Sequence, residues 1–130
     1  TTEIYTLSLH DALPIFINIG SMQSELGRDT ITPYAASKGA VTMLTRGMCV
    51  ELARYNIQVN AIAPGYFVTE MTQPLADDPA FTGWLTKRTP AARWGKPEEL
   101  IGAAIFLASS ASDFVNGHLL FVDGGMRVAV

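Results

Sequence analysis

The sequence predicts an α/β fold, the C-terminal half of a doubly wound parallel-sheet domain with helices on both faces of the sheet in a three-layer α/β/α arrangement. Three observations carry this expectation. Strand-like and helix-like segments alternate along the chain as strand, helix, strand, helix, strand. The strand segments are apolar runs, as expected of strands covered on both sides, not polar/apolar alternations. Three strands are also few for this plan, since a complete doubly wound sheet has about six.

The first strand is expected within Phe16-Ile-Asn-Ile-Gly-Ser21, where a glycine and a hydroxyl residue end a β-branched run. The polar loop SMQSELGRDTITP follows. Pro33 then opens a long helix over 34–54, in which Val41, Leu44, Met48 and Leu52 recur at helical spacing and the other side is rich in Gly, Ala and Cys. Both sides of this helix are expected to pack. Asn56 leads into a second strand at 57–63, stopped by Pro64-Gly65.

Residues 66–90 contain three prolines and the Asp77-Asp78 pair, so they are expected as loop and short helices outside the core. Lys96-Pro-Glu-Glu puts a proline and two acids in the first turn of a helix that runs to about Ala108. Asn116-Gly117 turns the chain into a third strand, 118–122. Asp123-Gly124-Gly125 closes it, glycine permitting the backbone angles of a tight turn.

Composition narrows the function classes. At 130 residues, 48% hydrophobic and 16% charged, the chain has enough apolar residues for a real core, which excludes disordered and fibrous classes. The net charge of −3 and the scattered Lys and Arg exclude a nucleic-acid footprint and a polybasic membrane patch. The expected partners are a small molecule and further copies of the chain. Cys49 is the single cysteine and lies in an apolar helical pattern, which reads as a buried thiol in a reducing compartment. No apolar run is long enough to cross a bilayer and no signal-peptide pattern is present, so the expected location is cytoplasmic.

Two groups of residues raise the question of chemistry. Ser8, His10 and Asp11 crowd together, but a nucleophile, base and orienting acid are assembled by tertiary folding, and neighbours on one strand point to opposite faces. Tyr34 and Lys38 are different: four apart at the start of a helix, they share a face one turn apart. A tyrosine with an ordinary pKa of about 10 is a poor acid or base at neutral pH. An ammonium beside it and the positive end of the helix both favour the phenolate, which makes a proton donor and acceptor of the pair. The plainer alternative is a surface lysine beside a packed tyrosine. Ser21 weighs against that alternative, because it lies at the carboxyl end of a strand, where doubly wound sheets gather their ligands. No metal-ligand set is expected.

Ser21, Tyr34-x-x-x-Lys38, Asn60-Ala-Ile-Ala-Pro-Gly65 with Thr69, and Phe121-Val-Asp-Gly-Gly125 together resemble the C-terminal half of a short-chain dehydrogenase/reductase, a Rossmann-like family. The resemblance covers residues 16–130 without a gap. It implies an oxidoreductase that moves a hydride between a nicotinamide cofactor, NADP or NAD, and a carbonyl. Carried over residue by residue, it makes Tyr34 the catalytic acid/base, Lys38 its partner and a ligand of the nicotinamide ribose, and Ser21 the group that polarises the carbonyl. Pro64, Gly65, Phe67 and Thr69 fall in the segment that holds the nicotinamide and its carboxamide, so the cofactor-binding set is Tyr34, Lys38, Pro64, Gly65, Phe67 and Thr69. It also implies a homotetramer.

The stretches SMQSELGRDTITPYAASKGAV, APGYFVTEMT, RTPAARWGKPEELIGAA and ASDFVNGHLLFVDGG are similar to members of that family acting on keto-sugar acids. Such a substrate carries a carboxylate, and Arg28, Lys87, Arg88 and Arg93 are the cations of the flanking loops, each with a solvated or structural role as its plainer alternative. A 3-oxoacyl thioester or a polyol is the alternative substrate class. His118 is expected to serve the turn into the last strand, and Trp84 and Trp94 to pack.

The family pattern places a glycine-rich phosphate-binding turn and a catalytic Asn ahead of the first strand. Here that position is occupied by TTEIYTLSLHDALPI, of which Tyr5–Ile15 is identical to the translation of a short-read sequencing adapter. Residues 1–15 are therefore expected to be a non-native leader and 16–130 the family segment. For the chain as written, the second hypothesis is a non-catalytic fragment with an exposed sheet edge and exposed helix faces.

Overall fold

The computed structural model describes residues 14–130. The Ser8, His10 and Asp11 cluster, and the leader up to residue 13, lie outside the described residues. Strands β1 (Ile15–Ile19), β2 (Gln58–Pro64) and β3 (Leu119–Val122) form one parallel sheet in the order β1-β2-β3. β1 opens at Ile15, opposite Gln58, and stops at Ile19 because Ser21 leaves the ladder to cap a 3-10 turn over Met22–Ser24.

β2 is the middle strand and is buried along nearly its whole length, which accounts for the absence of alternation in its sequence. Asn60, fully buried within it, is satisfied at both ends: its amide donates to the Val115 carbonyl at 2.8 Å and its Oδ1 accepts from the His118 N–H at 2.9 Å. Asn116 Oδ1 accepts from the Val59 N–H, and Gly117 takes φ +72, so the expected turn before β3 is fastened to the middle strand.

Helix α1 spans Thr32–Leu52, with Pro33 in its first turn. Asn18 on β1 donates to Thr45 Oγ1 at 3.0 Å, which sets α1 on the face of β1 that carries the even-numbered residues. The line that α1 buries is Thr42 and Thr45, with Cys49 close to Gly117; Leu44 of the expected apolar stripe is 54% exposed. Val41, Met48 and Leu52 of that stripe are half-buried, so the stripe flanks the Thr42 and Thr45 line that meets the sheet, with Leu44 at its solvent edge.

After β2 come the short helices α2 (Gln73–Ala76) and α3 (Pro79–Arg88), then a 3-10 turn at Pro97–Leu100 that runs into α4 (Ile101–Ala108). The segment after α4 lies against the opposite face of β2, where Gln58 donates to the carbonyls of Ser112 and Asp113. Helices on both faces follow, as expected.

One expectation is corrected. Leu85 of α3 is fully buried and forms a core cluster with Met22 and Met126, joined by Tyr66, Trp94 and Phe121, so the 66–90 stretch does contribute to the core. Trp84 and Trp94 pack with Tyr66 and Phe81 in edge-to-face and tilted contacts at 5.4–6.1 Å.

Candidate active site

The three parallel strands end on the same side, and the loops that leave them meet there. A cleft of about 620 Å³ opens at this edge, and Ser21, Gln23, Tyr34, Pro64, Gly65, Phe67 and Thr69 all line it. Six of the seven predicted site residues are therefore gathered in one cavity. The seventh, Lys38, stands one helical turn behind Tyr34; its Nζ donates to the Ile19 carbonyl at 3.0 Å and lies 5.8 Å from the centroid of the Tyr34 ring.

Each placement has a local cause. Ser21 is 7% exposed and serves as the N-cap of the Met22–Ser24 turn: its Oγ accepts from the Gln23 N–H at 3.2 Å and donates to Gln23 Oε1 at 2.8 Å. Ser24 closes the box by accepting from the Ser21 N–H. Tyr34 projects from the first turn of α1 and is 47% exposed, so its ring reaches the cleft and solvent. Gly65 follows β2 where the chain passes Asp123; a Cβ at Gly65 would sit 2.7 Å from the Asp123 Cα. The Asp123 carboxylate in turn accepts from the N–H groups of Gly125 and Arg127, and Gly124 and Gly125 take φ +65 and +86. The expected turn after β3 thus also sets the wall against which Pro64-Gly65 lies.

Phe67 is fixed by an isolated parallel bridge to Gly95, with its carbonyl accepting from Thr72 Oγ1. Thr69 and Thr72 bond to each other's main chain and hydroxyls, which shapes the segment leading into α2 over the cleft. Gln23, Tyr66, Met71 and Leu75 also line the cavity and were not singled out from the sequence. Gln23 had a readable signal: it stands inside a Ser-x-x-Ser cap.

The four loop cations separate. Arg28 lines the cleft. Arg88 donates to the Met126 carbonyl. Arg93 makes a two-pronged ion pair with Glu99, whose carboxyl is pulled from 4.5 to about 2 by that bond, the Lys96 N–H adding to it; the pair sits on a separate cavity of about 90 Å³. Lys87 belongs to neither cavity wall.

A buried hydroxyl and a half-exposed phenol on one cleft, with an ammonium behind the phenol, are suited to hydrogen-bonding a carbonyl and exchanging a proton with it. Comparison with known proteins gives the family. The family described as Enoyl-(Acyl carrier protein) reductase matches residues 10–127. The chain belongs to the short-chain dehydrogenase/reductase family. Within that family it is 84% identical over 114 residues to the 5-keto-D-gluconate 5-reductase of Escherichia coli K12, covering 88% of this chain and 45% of the relative. The gluconate 5-dehydrogenase of Gluconobacter oxydans is 59% identical over a similar span, 44% of its length. The crystal structure of a gluconate 5-dehydrogenase from Burkholderia cenocepacia in complex with NADP and tartrate superposes with a TM-score of 0.89 at 64% identity, over 93% of this chain and 48% of that one. The chain spans about half the length of the relatives it matches, and the shared half is the C-terminal half of the Rossmann-like domain. Among the described residues no helix is long and apolar enough to cross a membrane.

Proposed function

We propose that the short-chain dehydrogenase/reductase to which this segment belongs interconverts 5-keto-D-gluconate and D-gluconate with NADP or NAD. The observation that carries the proposal is the convergence of Ser21 and Tyr34 on one cleft, in a chain this similar to a 5-keto-D-gluconate 5-reductase.

The residues present fit a nicotinamide cofactor. Lys38 has three N–H donors and uses one on Ile19, so others remain for ribose hydroxyls. Pro64, Gly65, Phe67 and Thr69 line the cleft with apolar surface and hydroxyls suited to a flat ring with a carboxamide. When bound, the cofactor supplies the hydride that reduces the carbonyl carbon. The chain's own residues then do the rest. Ser21 turns its hydroxyl from Gln23 to the carbonyl oxygen and polarises it. Tyr34 transfers its phenolic proton to that oxygen as the C–O π bond breaks, giving the alcohol. The Lys38 ammonium stabilises the negative charge left on Tyr34, which regains a proton from solvent. Holding the ketone against these groups is the proximity term.

A cytoplasmic location and a homotetramer complete the proposal; the single half-buried Cys49 supports the first and the exposed apolar side of α1 the second. The test is a chimera in which the matched segment replaces its counterpart in the Escherichia coli reductase. It is expected to oxidise NADPH with 5-keto-D-gluconate, and Ser21→Ala and Tyr34→Phe are each expected to lower kcat by about a hundredfold or more. A chimera that prefers a 3-oxoacyl thioester, or that turns over no keto-sugar acid, overturns the proposal.

A further inference from the structure

We propose that Arg28 binds the carboxylate of the substrate and makes the cleft specific for sugar acids over neutral sugars; this rests on the function proposed above. Of the residues lining the cleft, Arg28 is the one with a formal charge; the lining holds no Asp, Glu or Lys among the described residues. The cleft therefore presents hydroxyls and apolar surface around a single cation, on the same cavity as Ser21 and Tyr34. A ligand with one anionic group remote from its reacting carbonyl complements that pattern.

The guanidinium is held in place without being neutralised. Its Nη1 donates to the Tyr66 hydroxyl at 2.9 Å, and its Cζ lies 5.7 Å from the centroid of the Phe81 ring. Tyr66 is itself wedged against Phe81, Trp84 and Trp94. The ion pairs among the described residues are Arg93–Glu99 and Arg127–Glu25, so none of the described carboxylates pairs with Arg28. One of its five N–H groups is used on Tyr66, and the rest suit the two oxygens of a carboxylate. Arg28 is the specificity residue, and Tyr66 positions it.

The chimera described above tests this with substrate and inhibitor kinetics. Arg28→Gln is expected to raise KM for 5-keto-D-gluconate about tenfold or more with kcat nearly unchanged, since uniform binding is lost and no proton-transfer group is touched. Arg28→Lys is expected to recover part of the loss, and Tyr66→Phe to raise KM by about threefold through a less well held guanidinium. Added salt is expected to raise KM in the unsubstituted chimera and far less in Arg28→Gln. Inhibition by neutral D-glucitol and the Kd for NADPH are expected to stay unchanged. Turnover of 5-keto-D-gluconate with an unaltered KM in Arg28→Gln, or equal weakening of D-gluconate and D-glucitol, overturns this inference alone. An NADPH-loaded chimera that does not reduce 5-keto-D-gluconate overturns it together with the proposed function.

Discussion

The Lys38 ammonium lies 5.8 Å from the centre of the Tyr34 ring while its own hydrogen bond, at 3.0 Å, runs to the carbonyl of Ile19 at the end of β1. One contact ties the first turns of α1 to the sheet and holds a positive charge behind the phenol. Replacing Lys38 with Met keeps the bulk of the stem and removes both the donor and the charge. In the chimera, Lys38→Met is expected to lower kcat by about tenfold or more and to raise KM for NADPH, with little change in KM for the keto acid. Initial-rate kinetics with each substrate varied in turn checks this; an unchanged kcat would leave Lys38 a structural tie between α1 and β1 only.

Gly65 has no room for a side chain. The Cβ of an alanine there would stand 2.7 Å from the Asp123 Cα and 2.8 Å from its Cβ, and a backbone atom cannot swing away as a flexible side-chain tip can. Gly65→Ala is expected to cost about 2 kcal/mol of stability through overpacking, and to weaken NADPH binding by shifting the Pro64-Gly65 wall. Thermal unfolding and NADPH fluorescence titration of the chimera check both parts. Gly47→Ala, with nothing within 4 Å of the added methyl, is the control and is expected to be neutral or slightly stabilising.

The chain as given exposes apolar surface on several sides. Ile19 on β1, the edge strand of the sheet among the described residues, is 56% exposed, and Val50 on α1 and Ile105 on α4 are 80% and 62% exposed. An edge strand and unpartnered apolar helix faces favour pairing with other chains. The isolated 130-residue chain is expected to self-associate in sedimentation velocity at micromolar concentration and to show no NADPH binding. A 14.0 kDa monomer that binds NADPH would overturn this expectation.

The elements whose sequence obeyed one rule were readable in advance. β2 is a largely apolar segment stopped by Pro-Gly, and α1 starts at a proline; both stand within two residues of where the pattern put them. Leu85 was not readable, because a leucine in a stretch broken by Pro, Asp and Thr gains its burial from Met22 and Met126, far away in the chain. Nor was the exposure of Leu44: periodicity marks it as apolar, but the line that meets the sheet runs through Thr42 and Thr45, where Asn18 of β1 bonds to the Thr45 hydroxyl. In the site, the hydroxyls and the ammonium were legible from their spacing and resemblance. That Arg28 faces the cleft while Arg88 and Arg93 are spent elsewhere depends on loop paths, including Thr30 at φ +69, which no local pattern encodes.

Arg93 and Glu99 give the structure a pH dependence with a defined sense. The Arg93 guanidinium, with help from the Lys96 N–H, holds the Glu99 carboxyl at about 2, below the ordinary 4.5. A carboxyl that is more acidic folded than unfolded contributes stability that is fully present above about pH 4.5 and lost as pH falls toward 2. Both side chains are solvent-exposed, so the contribution is small and is screened by salt. It acts on the Pro97–Leu100 turn, because Glu99 also accepts from the main chain that begins that turn. Glu99→Gln in the chimera is expected to flatten the acid limb of a plot of Tm against pH between about 4.5 and 2, while leaving the Tm above pH 6 only slightly lower. An acid limb of undiminished slope in Glu99→Gln would mean that other carboxylates govern the acid transition and that the pair merely decorates the turn.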